Sequence, residues 1–309
     1  MPWTAEDMPD LKDQTIVVTG GNSGIGLEAA RQFARKSARV VLACRDLTKA
    51  KTAAAEIERD APGATVEPMR LDLASLDSVR RFVAELTTAH RQLHVLCNNA
   101  GVMAIPYART ADGFEMQFGT NHLGHFALTG LLLERLLATP GARVVSVSSG
   151  AHRMGKIRFE DLQWETGYGK WRAYGQSKLA NLLFTFELQR RLEAAKAAVI
   201  GVACHPGYAA TNLQAVGPRL QGSSFLEGLM QVGNSLFAQS AAMGALPTMY
   251  AATAKQVRGG EYFGPDSIGE LWGHPKAVEC SSAARDREVA SRLWKVSEEL
   301  TGVTYLSAK

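Results

Sequence analysis

A continuous run, Thr15-Ile16-Val17-Val18-Thr19, leads into Gly20-Gly21-Asn22-Ser23-Gly24-Ile25-Gly26 and then into a helical pattern over 27–36. No other stretch constrains the chain as tightly. Uninterrupted β-branched residues mark a strand buried on both faces. A glycine-rich turn between such a strand and a helix aims backbone N–H groups and the positive end of the helix dipole at an anion. Glycine is needed there because a Cβ would hold a pyrophosphate away from the backbone. Gly20, Asn22, Ser23, Gly24, Ile25 and Gly26 are therefore candidates for a phosphate cradle.

The alternation continues. Strand-like runs at 39–43, 65–71, 93–97, 142–147 and 199–204 are interleaved with helical stretches at 50–59, 75–90, 112–138 and 171–195. This order predicts an α/β fold, a parallel sheet with helices on both faces. No repeat, linker or low-complexity segment interrupts the 309 residues, which predicts one domain over 1–309.

In dinucleotide-binding folds the end of the second strand meets the adenosine ribose. An acidic residue there accepts hydrogen bonds from a 2′-hydroxyl, whereas an arginine pairs with a 2′-phosphate. The chain has Cys44-Arg45-Asp46, with Cys44 at the acidic position. Arg45 thus favours NADP(H) over NAD(H), and Asp46 is the expected cap of the next helix. Asp72-Leu73 ends the third strand, where the aspartate would either meet an adenine amino group or close a local turn.

Tyr174 and Lys178 share a face of the 171–195 helix, with Cβ atoms about 5–6 Å apart. An ammonium beside a phenol favours the phenolate and lowers its pKa. A tyrosine tuned this way can exchange a proton near neutral pH, as a general acid or base must. The fourth strand runs into Asn98-Asn99-Ala100-Gly101, where small residues admit a cofactor to the backbone and an asparagine can tie strands together. The fifth runs into Ser148-Ser149-Gly150, and the sixth into His205-Pro206-Gly207, with Thr211 shortly after.

Composition excludes several classes. With 46% hydrophobic and 21% charged residues the chain is globular. A net charge of +4 on scattered basic residues argues against a nucleic-acid partner. Residues 1–14 are polar and acidic, without the apolar core of a signal peptide. No uncharged apolar run reaches about 18 residues, so no transmembrane segment is expected. Cys44, Cys97, Cys204 and Cys280 form no Cys-x-x-Cys pair and fit small buried hydrophobes in a reducing, cytoplasmic compartment. His122 and His125 are three apart, a spacing a metal could use, but no third ligand accompanies them and no metal is expected.

Taken together, Thr19-Gly20-x-x-x-Gly24-x-Gly26, Asn98-Asn99-Ala100-Gly101, Asn121, Ser149, Tyr174-x-x-x-Lys178 and Pro206-Gly207 with Thr211 closely resemble the short-chain dehydrogenases/reductases, in that family's order over roughly residues 14–265. Ala43-Cys44-Arg45-Asp46, Asn121-His122-Leu123-Gly124-His125-Phe126 and Ser177-Lys178-Leu179-Ala180-Asn181 are similar to the retinol dehydrogenase-like branch. They are also similar to protochlorophyllide reductases and the oxidoreductase domain of WW-domain proteins.

The resemblance implies a Rossmann-type doubly wound sheet and an NADP(H)-dependent interconversion of a carbonyl and an alcohol on a small-molecule substrate. It makes Tyr174 the general acid in reduction and the general base in oxidation. Lys178 would lower the tyrosine's pKa and hold the nicotinamide ribose. Ser149 would hydrogen-bond the substrate oxygen, with Ser148 its rival. Asn121 would hold a water linking Lys178 to solvent. Asn99, Ala100, Gly101, Pro206 and Gly207 would line the dinucleotide, and Thr211 would bond its carboxamide.

Further expectations lie outside these motifs. The gap between Ser149 and Tyr174 is long, and its Trp164, Tyr168 and Trp171 either shape the mouth of the substrate site or pack the insertion onto the sheet edge. Phe225, Leu229, Val232 and Leu236 form an apolar stripe inside a segment, 207–250, expected to cover an apolar or bulky substrate as a lid. By resemblance, the helices of 121–138 and 171–195 could pair two copies into a homodimer. The runner-up functions are reduction of a C=C bond and a non-catalytic dinucleotide-binding sensor or scaffold. The joint presence of Asn121, Ser149, Tyr174 and Lys178 weighs against the second.

Overall fold

The computed structural model describes residues 2–208 and 239–306. Thr15–Thr19 (β1) is buried along its whole length, as β-branched residues covered on both faces require. It pairs in parallel with Arg39–Cys44 (β2) on one side and Val95–Asn98 (β4) on the other. Thr65–Arg70 (β3) flanks β2, while Arg143–Val147 (β5) and Ile200–Cys204 (β6) extend the sheet beyond β4. Tyr262–Pro265 (β7) and Pro275–Ala277 (β8) complete eight strands in the order β3-β2-β1-β4-β5-β6-β7-β8, parallel except for the last pair.

Alternate strand residues feed opposite cores. Ile16 and Val18 pack with the helices Gly24–Arg35 (α1) and Leu47–Asp60 (α2), while Val17 packs with Leu76–Ala89 (α3) on the other face. That second face continues through Met116–Phe118 (α4), Gly124–Leu131 (α5), Leu133–Leu137 (α6) and Lys170–Ala194 (α7). The expected doubly wound α/β sheet is present, with element ends shifted by a few residues. From β1 the chain moves outward to β2, and from β4 it moves the opposite way to β5. The crevice between the carboxyl ends of β1 and β4 is therefore a topological switch point, where such folds bind ligands.

Beyond residue 240 the structure adds elements that strand–helix alternation did not predict. Ala241–Thr253 (α8) joins the α1 face of the sheet. Arg287–Thr301 (α9) lies along α7 and against α5. Its Trp294 ring sits 5.8 Å from Phe184, 5.1 Å from Phe126 and 4.6 Å from Tyr305, with the Arg191 guanidinium 4.5 Å above it. α9 thus covers part of the helix surface through which two copies were expected to pair. Replacing Trp294 with alanine should cost about 3–5 kcal/mol in urea unfolding, as a buried aromatic lost from a packed cluster does.

The stretch between Ser149 and Tyr174 divides Trp164, Tyr168 and Trp171 between the two expectations. Trp164 is buried, with Arg158 4.1 Å over its ring. Tyr168 donates to Ile105 O at 2.9 Å and accepts from Gln117 Nε2 at 2.9 Å, tying the insertion to α4. Those two pack. Trp171 is 43% exposed, its ring 6.2 Å from that of Tyr174, so it alone borders the site.

Candidate active site

The cradle forms at the end of β1. Gly20 has φ +67°, and a Cβ there would lie 3.0 Å from Ala100 Cβ. A Cβ on Gly26 would lie 2.5 Å from Asn99 Nδ2 and 2.7 Å from Gly20 O, so only glycine lets α1 reach the β4 loop. Side chains cap α2 (Asp46), α3 (Ser75), α8 (Ser240) and α9 (Asp286). Ser23 gives α1 no such bond, and no acidic residue stands in its first turn. The first-turn amides at Gly24, Ile25 and Gly26 remain available to an acceptor from outside, which a pyrophosphate supplies. A nicotinamide dinucleotide fits this cradle. Gly26→Ala should weaken dinucleotide binding at least about tenfold in a fluorescence titration, because the added methyl meets the Gly20 backbone on one side and, on the other, the Asn99 side-chain amide that ties the β4 loop to Thr19.

Around the cradle, Cys44 is buried, and its thiol is pushed up to about 11 by burial despite hydrogen bonds from Asn22 and Gly21 amides. Arg45 is exposed at the strand end. Asp46 Oδ1 accepts from Lys49 N at 3.1 Å, the expected cap. Asp72 Oδ1 accepts from Ala74 N at 3.0 Å, so the local turn is formed, with buried Leu73 inside it. Thr19 Oγ1 accepts from the amides of Asn99 and Ala100, each at 2.9 Å, and Asn99 Nδ2 donates to Thr19 O at 2.8 Å. Gly101 sits where a Cβ would be 3.0 Å from Asn121 Oδ1 and 3.6 Å from Lys178 Nζ.

The other candidates converge on this loop. Ser149 is hydrogen-bonded to the buried Tyr174 hydroxyl, and its Oγ accepts from Ala151 N at 3.2 Å. Ser148, one residue earlier, points the other way and donates to Lys178 O at 2.8 Å. The strand's alternation therefore presents Ser149, not Ser148, to the tyrosine. Asn121 lies in a π-type turn over Gly119–Leu123, where Gly124 N–H bonds Gly119 O. Its side chain accepts from Val102 N at 2.8 Å and donates to Val102 O and Ser177 Oγ, both at 2.9 Å. Gly207 has φ +66°, and Pro206 O accepts from Gln239 Nε2 at 2.6 Å. Thr211 and the Phe225–Leu236 stripe lie outside the described residues, as does most of the 207–250 segment.

One electrostatic expectation is reversed. Burial pushes Tyr174 up to about 12, and the Ser149 hydrogen bond opposes this only in part. Lys178 does not bring the phenol down: its Nζ is 5.7 Å from the ring centroid and donates to Val147 O at 3.1 Å. Burial lowers the lysine itself to about 8. In the chain alone, desolvation outweighs the attraction between the two groups.

His122 and His125 do not face a common point. His122 Nε2 meets Ser297 Oγ on α9 at 2.9 Å, whereas His125 Nε2 meets Thr19 Oγ1 on β1 at 2.9 Å. The links from Thr19 to His125 and from Asn121 to Ser177 join site residues in a way the sequence reading missed. The only signal for them was position within recognised motifs.

Comparison with known proteins places this geometry. A family model described as short chain dehydrogenase matches residues 14–218. Retinol dehydrogenase 12 of Mus musculus is 44% identical over 297 residues, covering 96% of this chain and 88% of that protein. Retinol dehydrogenase 13 of Homo sapiens is 42% identical over 295 residues, covering 95% and 86%. The crystal structure of an uncharacterized protein from Mycobacterium Paratuberculosis superposes with a TM-score of 0.82 at 44% identity, covering 99% of both chains. The chain belongs to the short-chain dehydrogenase family, in its retinol dehydrogenase-like branch, and is a nicotinamide dinucleotide-dependent oxidoreductase.

Proposed function

We propose that the chain is an NADP(H)-dependent oxidoreductase interconverting a carbonyl and an alcohol on an apolar or bulky, retinoid-like substrate. The observation that carries this reading is the bonded pair of Ser149 and Tyr174 beside Lys178, next to the uncapped start of α1. Gly20, Asn22, Ser23, Gly24, Ile25 and Gly26 would hold the pyrophosphate. Asp72 and Leu73 would border the adenine, with Asn99, Ala100 and Gly101 forming the floor. Lys178 would hold the nicotinamide ribose, and Pro206 and Gly207 would close the far side. The bound dinucleotide supplies or accepts the hydride.

The residues handle the proton. Ser149 steadies charge on the substrate oxygen as it develops, an oxyanion-hole effect. A tyrosine raised to about 12 is protonated at neutral pH, so it stands ready as the acid for carbonyl reduction. The Lys178 ammonium then stabilises the phenolate left behind. Among the described residues Nζ makes one hydrogen bond, to Val147 O, which leaves protons for ribose hydroxyls. Asn121 would position a water toward Lys178 through its main chain, because its side chain is committed to Val102 and Ser177.

The end of β2 supports NADP(H) over NAD(H). Among the described residues no carboxylate there is free for a ribose hydroxyl: Cys44 is buried, and the carboxylate of Asp46 is held by the α2 cap and by Lys49 at 3.6 Å. Arg45 is exposed to meet a 2′-phosphate. Purified protein should bind NADPH at least about tenfold more tightly than NADH, and Arg45→Ala should remove most of that preference. Equal affinities in the unaltered protein would refute the preference.

The apolar substrate is supported by exposed Trp171 on the tyrosine's helix, by exposed Met154 against that helix, and by the relatives' names. A panel of retinal, long-chain aldehydes, steroid ketones and small polar aldehydes, followed at the nicotinamide absorbance, tests it. Turnover confined to the small polar compounds would contradict it.

A further inference from the structure

One buried titratable group at the site has no part in the steps above. His125 lies on α5, its Nδ1 3.0 Å from Asn121 O and its Nε2 2.9 Å from Thr19 Oγ1. Valence fixes where the protons sit. A carbonyl oxygen only accepts, so Nδ1 carries a proton. In a neutral ring Nε2 is then bare, and the Thr19 hydroxyl donates to it. Both lone pairs of that hydroxyl accept from the Asn99 and Ala100 amides. With the other tautomer, a bare Nδ1 would face the Asn121 oxygen and the Thr19 proton would turn to Cys97 O at 3.2 Å. Burial pushes the ring down to about 4, with the Lys178 ammonium acting in the same direction and His122 as its other titratable neighbour.

Each end of this ring meets a different part of the site. Thr19 anchors the loop that forms the cofactor floor. Asn121 reaches through its side chain to Ser177 Oγ, which donates to Tyr174 O at 2.8 Å. We propose that His125, as the neutral Nδ1–H tautomer, is a positioning residue that couples the Asn99–Gly101 floor to the Asn121–Ser177–Tyr174 arm, holding the Asn121 carbonyl and the Thr19 hydroxyl at once. A rigid imidazole can donate from one atom and accept at another across the gap between β1 and the π-type turn. This inference rests on the oxidoreductase reading above, and its test separates the two.

Ring 15N shifts of the full chain with dinucleotide bound, assigned by their loss in His125→Gln, report the tautomer directly. The neutral Nδ1–H form should persist from pH 8 down to about pH 5, since burial holds the ring well below its ordinary value of about 6.5. An Nε2–H tautomer, or titration near the ordinary value, overturns the proposal whether or not the protein turns over any substrate. Two variants then split the ring's tasks. His125→Asn places an amide N–H near the Nδ1 position but cannot reach Thr19; His125→Gln reaches Thr19 but leaves the Asn121 oxygen without its donor. His125→Asn should weaken dinucleotide binding about tenfold with a smaller loss of kcat, and His125→Gln should lower kcat about tenfold with a smaller loss of binding. Identical losses in both variants, as a space-filling role requires, would overturn it. If one variant fails to fold, loss of the ring signals in the other assigns them, and the tautomer of the unaltered protein still decides.

Discussion

Tyr174→Phe should lower turnover about 10³-fold while the dinucleotide dissociation constant stays within about threefold, the size of effect expected when a positioned acid is removed. The ring volume is kept, so the packing of Trp171 against it survives. Ser149 keeps its bond from Ala151 N and so stays in place. What goes is the one hydroxyl bonded to Ser149 that can deliver a proton to a substrate oxygen there. Stopped-flow kinetics with the best substrate of the panel, alongside fluorescence titration of the dinucleotide, would measure both quantities. Turnover within tenfold of the unaltered protein would show that another group supplies the proton.

Lys178→Met should have opposite effects on activity and stability. Activity should fall by at least about 10²-fold, because the charge that stabilises a phenolate is lost. Stability should rise. Burial depresses the folded lysine to about 8 from an ordinary 10.5, so the unfolded chain holds this proton more tightly than the folded one. Below about pH 8 the buried ammonium costs stability in full, and the cost fades as pH rises toward the unfolded value. At roughly 1.4 kcal/mol per pKa unit, the variant should be more stable by on the order of 3–4 kcal/mol at pH 7, with the gap closing toward pH 10. Raised Tyr174 acts in the reverse sense only above its ordinary value, outside this window. Urea unfolding of both proteins at pH 7 and pH 10 gives the comparison. A variant less stable at pH 7 would mean that the bond to Val147 O outweighs desolvation.

The parts of this protein legible in its sequence are those fixed by local chemistry. The glycine turn could be recognised because a missing Cβ has a local reason, which Gly20 and Gly26 show against Ala100 and Asn99. Ser149 could be favoured over Ser148 because it lies second after the apolar strand, with Ser148 at the small position before it. The reversed shift of Tyr174 could not be read, since desolvation depends on what packs around the phenol and not on the lysine's spacing from it. Nor could the fates of Trp164 and Trp171, seven residues apart between Ser149 and Tyr174, where tertiary contacts with Arg158 and with Tyr174 decide which is buried. α9 carried readable signals: Asp286 caps it, Gly302 ends it in the left-handed region, and Ala290, Leu293, Trp294, Ser297 and Thr301 fall on one face. Its docking on α7 was not among them. That depends on Phe126 and Phe184, more than a hundred residues earlier.

The most direct test of a hydride transferred to a carbonyl carbon while Tyr174 protonates its oxygen uses NADPH deuterated at both C4 positions and a substrate carrying both a carbonyl and a conjugated C=C bond, such as retinal. Mass spectrometry of the product should show one deuterium on the carbinol carbon, with the C=C bonds intact. A product with the deuterium on a saturated chain carbon and the carbonyl retained, or one carrying no deuterium, would contradict the account.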